Sequence, residues 1–319
     1  MAKTKNAIAK PRNDAAGGSR EDRFIPSSRT GQNIALTIYR PEGPESPGPV
    51  IVMGCGIGAI KAGGLTPFAM AFNVAGYTAV SFDYLNFGAS DGTPRGLLSV
   101  PNELQDFRDV IAWVRAPGQG AWADPSRVVA WGTSFGGMHV TALMGEDHRL
   151  AAGIAQCPLT DGLAGTMHTP LARSLKLTPV AMLDAVRSLF GATEPSYIDL
   201  TSDGSTPALM ASEEVVTGWA RLNPENGETW SNKLAARSLF SIMVNRPLLS
   251  VHKCKRPYLI VLPTWDHEAA LGAAEECVRR APLGEGLRVQ GGHFDLYKGG
   301  PAFEENIRGQ LEFLKRVFI

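Results

Sequence analysis

Apolar and polar side chains alternate through "NIALTIYRP", the period-two pattern of a half-buried strand, read here as antiparallel. The turn cluster "GPESPGP" separates it from "VIVMG", a continuous apolar run that predicts a strand buried on both faces. The period then lengthens. "TPFAMAFNVAGY" predicts a helix with Thr66 as N-cap, Pro67 in its first turn and Gly76 near its stop. "TAVSFDY" is the next strand, and "SVPNELQDFRDVIAWVRA" a long amphipathic helix that Ser99 caps. "RVVAWG" is a strand that runs directly into the helical "FGGMHVTALMG", and "AAGIAQ" is another strand.

From about residue 158 to 250 this rhythm breaks. "TPLARSLKLTPVAMLDAVRSLFG" reads as a helical pair, "SYIDLTSDGSTPALMAS" as a short hairpin around Ser202-Asp203-Gly204, and "NKLAARSLFSIM" as a helix. Strand–helix alternation resumes with "PYLIVLP", "EECVRRA", "LRVQGG" and a last helix, "FEENIRGQLEFLKRVF". Alternation on both sides of an insertion predicts an α/β fold: a mostly parallel twisted sheet, helices on both faces, and an inserted, largely helical cap. The expected division is a flexible tail over 1–22, a core over 23–157 and 251–319, and a cap, or lid, over 158–250.

Composition narrows the classes of function. With 319 residues, 44% of them hydrophobic, the chain can bury a sizeable core. Lys+Arg and Asp+Glu each total 31, so charge gives no reason to expect nucleic acid or an anionic membrane as partner. The four cysteines form no C-x-x-C or metal-ligand spacing and read as reduced thiols. Without a signal-peptide pattern or a membrane-length apolar run, a cytoplasmic location is expected.

The chemistry concentrates at "VVAWGTSFGGMHV". Gly132-Thr133-Ser134-Phe135-Gly136 fits G-x-S-x-G, in which a strand turning at once into a helix presents a strained serine at the helix N-terminus. A serine hydroxyl needs a base, and in this arrangement the acid and the histidine follow it in the chain. Of six histidines, His293 in "RVQGGHFDLY" sits between a short strand and the last helix, where a parallel sheet gathers its chemistry. Asp266, just past "YLIVLP", is the expected acid; Glu268 and Asp161 are reserves, and Asp295 reads as a turn cap.

In these motifs the chain resembles the α/β-hydrolase superfamily of serine hydrolases from about residue 30 to the end. "GIGAIKAGGLTPFAMAFNVAGY", "SYIDLTSDGSTPALMAS" and "NKLAARSLF" resemble a narrower group of fungal secondary-metabolism hydrolases and polyketide transferases. The resemblance implies an oxyanion hole made by the Ile57 and Phe135 amides. It also implies catalysis by Ser134, Asp266 and His293, without metal or organic cofactor. Cys55 departs from the His-Gly common in relatives and reads as a small packing residue beside Gly56. A competing reading of "GCGIGA" as a dinucleotide loop fits G-x-G-x-x-A. It fails on helix placement, and Asp83 lies well beyond the roughly 20 residues that fingerprint needs.

In the cap, Met167, Leu175, Leu177, Met182, Leu183, Phe190, Trp219, Leu222, Trp230, Phe240 and Met243 read mostly as its own small core. A subset is expected to face the serine, and with Cys55 and Gly56, the residues Met167, Trp219 and Phe240 are the candidate substrate contacts. Arg237 reads as an ion-pair anchor. The expected activity is acyl hydrolysis or transfer on an ester or thioester of a hydrophobic, polyketide-like chain, free or carried on a synthase. The alternative is a non-hydrolytic lyase, cyclase or binding chamber. A homodimer through the tail or the cap is left open.

Overall fold

The computed structural model describes residues 12–13, 18–42, 47–119, 122–224, 228 and 230–319. Its first seven strands are β1 (Arg12–Asn13), β2 (Ser19–Pro26), β3 (Asn33–Arg40), β4 (Gly48–Gly54), β5 (Thr78–Phe82), β6 (Ala123–Thr133) and β7 (Ala152–Gln156). Three more, β8 (Tyr197–Ser202), β9 (Ala208–Ala211) and β10 (Lys233–Ala235), fall in the inserted region, followed by β11 (Tyr258–Pro263) and β12 (Gly284–Val289). Among the described residues the main sheet has nine strands in the order β1-β2-β3-β5-β4-β6-β7-β11-β12. From β5 to β12 neighbours are parallel; β1 to β3 run antiparallel at one side. This is the α/β-hydrolase architecture, and the inner parallel strands β4, β5, β7 and β11 carry the near-continuous apolar runs that two covered faces demand, while the edge strand β12 is largely exposed.

Four helices of the outer layers come before or within the first half of the chain's insertion: α1 (Thr66–Val74), α2 (Val100–Val114), α3 (Phe135–Glu146) and α4 (Gly162–His168). Then come α5 (Leu171–Leu189), α6 (Glu213–Ala220) and α7 (Ser238–Val244), and finally α8 (Leu271–Arg280) and α9 (Phe303–Phe318). Several local expectations are corrected. Leu65, not Thr66, occupies the cap position of α1, and the Thr66 hydroxyl instead meets the Tyr39 hydroxyl at 3.2 Å. Ser99 caps α2 in backbone conformation but not with its side chain. The Leu98 and Val100 amides donate instead to the Ser238 and Ser241 hydroxyls, at 3.0 and 2.9 Å. Of the tail expected over 1–22, residues 1–11 and 14–17 lie outside the described residues. Ser19–Asp22 already form half of β2, whose polar, partly exposed sequence hid a strand.

The insertion also differs in detail. β8 and β9 pair parallel rather than as a hairpin, with Asp199 opposite Ala208 and Ser202 opposite Ala211. β10 pairs antiparallel with β8, so "NKLAARSLFSIM" divides into a strand and α7. The expected helical pair is one helix, α5, which carries Pro179 in its interior. Its inner side buries Leu177 and Ala181, whereas Leu175, Met182, Leu183 and Phe190 are exposed rather than buried in a cap core. Periodicity located the helix but could not say which side the rest of the insertion would cover.

One buried carboxylate ties these pieces together. Asp184 accepts the Ser196 amide at 2.7 Å, the Arg237 amide at 2.9 Å and the Arg237 guanidinium at 3.2 Å. Removing one member of a buried pair leaves the other uncompensated. Asp184→Ala is therefore expected to cost about 3 kcal/mol of stability, read as a lowered midpoint in chemical denaturation.

Candidate active site

Every parallel strand ends at the same side of the sheet, and the loops after β4, β6, β7, β11 and β12 meet there. Ser134 lies at the junction of β6 and α3 with φ 53° and ψ −114°, a conformation a non-glycine residue holds only when its surroundings impose it. Its amide donates to Gln156 O at 2.8 Å, and its carbonyl accepts from the Gly137 and Leu159 amides. The flanking glycines are required by close approach. A Cβ at Gly132 would stand 2.2 Å from Gly136 O, and one at Gly136 would stand 2.4 Å from Gly54 O and 2.6 Å from Cys55 O. The elbow is thus pressed against the loop that follows β4. A Cβ at Gly56 would lie only 3.4 Å from Ser134 Cβ, so the same loop passes over the serine. Phe135 N–H is the first orphan amide of α3, and among the described residues the Ile57 amide has no acceptor in the protein.

His293 begins the short turn after β12. Its Nδ1 lies 2.8 Å from Asp266 Oδ2, with both side chains buried. Asp266 Oδ1 meanwhile accepts the Glu268 and Ala269 amides, each at 2.8 Å, so one carboxylate both closes its own turn and holds the imidazole. Burial opposes the charged imidazole. The Asp266 carboxylate and the Cys157 sulfur beside Nε2 outweigh it and hold the His293 pKa well above the ordinary value. Cys157, at positive φ after β7, places Sγ 3.8 Å from His293 Nε2. Along the chain this cysteine reads only as a reduced thiol, because nothing there marks a residue that meets His293 through the fold.

A buried polar chain underlies these groups. Trp131 Nε1 donates to Gln310 Oε1, and the Gln310 and Asn306 amides on α9 both donate to Gln156 Oε1. Gln156 in turn donates to Thr133 Oγ1, which shares a 2.5 Å hydrogen bond with Tyr297 Oη. Asn306 also donates to Leu296 O, fixing the turn that bears His293.

Ser134 and His293 line one narrow cavity together with Gly56, Ile57, Trp219 and Tyr297. Beyond Ser134 it gives way to a chamber of about 350 Å³, within the range of small-molecule sites. Ile57 and Phe135 line its floor, α5 gives Leu177 and Ala181, and α7 gives Phe240 and Met243. Of the candidate contacts, Gly56, Trp219 and Phe240 thus reach one cavity or the other. Met167 does not: it is 78% exposed on α4. Cys55 does not either, since its buried thiol donates to Ala59 O at 3.2 Å and braces the loop. Burial, with the Asp83 and Glu103 charges adding to it, keeps that thiol pKa well above the usual value, so Cys55 is no thiolate nucleophile.

The remaining candidates are engaged elsewhere. Asp161 caps α4 and binds Arg246 at 3.0 Å; Asp295 accepts the Gly292 amide and pairs with Arg221. His139 is buried against Glu103 at 2.9 Å. Asp83 is fully buried and accepts the Lys61 and Ala89 amides, out of reach of a ribose, and α1 starts only after the glycines have passed.

Comparison with known proteins agrees with this architecture. The profile of the family described as X-Pro dipeptidyl-peptidase (S15 family) matches residues 30–274. Quorum-quenching protein AidA of Acinetobacter baumannii (strain MDR-ZJ06) is 37% identical over 280 residues, covering 88% of this chain and 90% of its own. Polyketide transferase grgF of a Penicillium species is 27% identical over 274 residues, covering 84% of this chain and 88% of its own. The crystal structure of alpha/beta hydrolase GrgF from Penicillium sp. sh18 superposes with a TM-score of 0.76 at 24% identity, over 93% of this chain and 98% of that one. With more than half of its length matched by the family profile and its sheet, elbow and insertion arranged as described, the chain belongs to the S15 peptidase family of the α/β-hydrolase fold.

Proposed function

We propose that this α/β-hydrolase-fold enzyme acts on ester or thioester bonds of a hydrophobic acyl chain through a Ser134 acyl-enzyme. The observation that carries the reading is the buried His293–Asp266 pair at 2.8 Å, facing the same cavity as a serine held at a strained elbow. Ser134 Oγ attacks the carbonyl carbon as His293 Nε2 takes its proton. The oxyanion accepts hydrogen bonds from the Ile57 and Phe135 amides. Collapse of the tetrahedral adduct expels the alcohol or thiol, which receives the proton from His293. Water, or an alcohol, amine or thiol acceptor, then takes the acyl group by the same steps in reverse.

Apolar chamber walls favour a hydrophobic chain over a small polar one. The names of the relatives, polyketide transferase and thiohydrolase, support a thioester-borne acyl chain in secondary metabolism, delivered free or on a synthase. Among the described residues no helix is long and apolar enough to cross a membrane.

The test is twofold. A fluorophosphonate should label the protein at Ser134 and hydrolysable acyl thioesters should compete with it; an intact protein that takes no label sinks the reading. The acid limb of kcat/KM should also lie above the ordinary imidazole value of about 6.5. The base must be neutral, and its raised pKa postpones that form to higher pH. Asp266→Asn should cut kcat by about 10³–10⁴ and move this limb downward, as measured in a pH–rate profile.

A further inference from the structure

The chamber's apolar walls contain one carboxylate. Glu268 stands two residues after Asp266, its amide tied to that side chain, while its own carboxylate lines the chamber half-buried. Among the described residues that carboxylate has no hydrogen-bond or ion-pair partner. His168 and His267 also line the chamber without a hydrogen bond to this carboxylate among the described residues, and two other basic groups near it are already used. The Arg173 guanidinium donates to Leu209 O and Ala211 O at 3.2 and 2.9 Å, and His293 Nδ1 is held by Asp266. A half-buried acceptor without a protein donor is open to one that a ligand supplies.

We propose that Glu268 is a specificity-determining residue whose carboxylate accepts a hydrogen bond from a hydroxyl group on the substrate's acyl chain. This rests on the acyl-enzyme reading above. A hydroxyl fits better than an ammonium for two reasons. An ammonium would lose its own hydration among apolar walls, and Arg173, which lines the same chamber, would repel it. Burial, the strongest influence on it, raises the Glu268 pKa.

The experiment compares kcat/KM for medium-chain acyl esters matched in pairs, with and without a hydroxyl along the chain, in wild type, Glu268→Leu and Glu268→Gln. The readout is the ratio within each pair, taken on protein that a fluorophosphonate still labels. Wild type should prefer one hydroxylated chain by about 10- to 100-fold, the value of a hydrogen bond to a charged group. Glu268→Leu should remove the preference, and Glu268→Gln, which keeps a carbonyl acceptor, should restore part of it. Equal ratios in wild type and Glu268→Leu overturn the assignment. A preference for amino-substituted chains that Glu268→Leu abolishes overturns the choice of hydroxyl. Loss of labelling in both variants overturns a specificity role in favour of a catalytic one. A wild-type enzyme that takes no label and turns over neither member of any pair overturns the acyl-enzyme reading instead.

Discussion

Ser134→Ala should lower kcat by about 10⁴ or more, with stability and substrate binding nearly unchanged. The loss follows from the division of labour in the site. His293 and Asp266 can remain paired without the hydroxyl, because their hydrogen bond does not pass through Ser134. The elbow is held by backbone bonds of residue 134 to Gln156, Gly137 and Leu159, none of which needs the side chain. Alanine must still adopt φ 53°, as serine does, so no new strain enters. What disappears is the only proposed nucleophile, and the acyl-enzyme with it. Steady-state kinetics together with mass spectrometry of the probe adduct measure both. Turnover that survives the substitution would shift the function to the alternative non-hydrolytic reading.

Gly136→Ala should disable the site through a single methyl group. Its Cβ would fall within 2.6 Å of two carbonyl oxygens, Gly54 O and Cys55 O, both backbone and neither able to rotate away as a side chain would. The loop after β4 must therefore retreat from the elbow, and the Ile57 amide retreats with it. Losing one oxyanion donor costs about 10²–10³ in kcat. Overpacking adds about 1–3 kcal/mol of destabilisation. The signature is a fall in kcat much larger than any rise in KM, in a protein with a lowered Tm. A Gly136→Ala enzyme with wild-type kcat would mean that the loop contributes no oxyanion contact.

The sequence made the sheet core legible because buried parallel strands leave uninterrupted apolar runs, and "VIVMG", "RVVAWG" and "PYLIVLP" each became one. Ser134, Asp266 and His293 could be named for a related reason: each stands just beyond the end of a strand, a place that order along the chain specifies. The chamber was less legible. β8 and β9 pair parallel through a short connection that reads as a hairpin turn, since the residues of a turn do not reveal the direction of the strand that follows. Met167 and Phe240 look alike as apolar residues in helical segments, yet one is exposed and the other lines the chamber. Glu268 looked like a spare acid for His293. The turn directs Asp266 to the imidazole and leaves Glu268 to the cavity, a distinction two residues wide that only coordinates resolve.

The amide chain from Trp131 through Gln310, Gln156 and Thr133 to Tyr297 sets an order of completion. The proposed nucleophile, base and acid all precede α9 in the chain, yet Asn306 and Gln310 on α9 fix both the strand beside Ser134 and the turn beneath His293. A chain cut at residue 300 would contain every proposed reacting group and lack the α9 side chains that brace Gln156 and the Leu296 carbonyl. The alignment of the site thus rests on a helix that carries none of the proposed reacting groups.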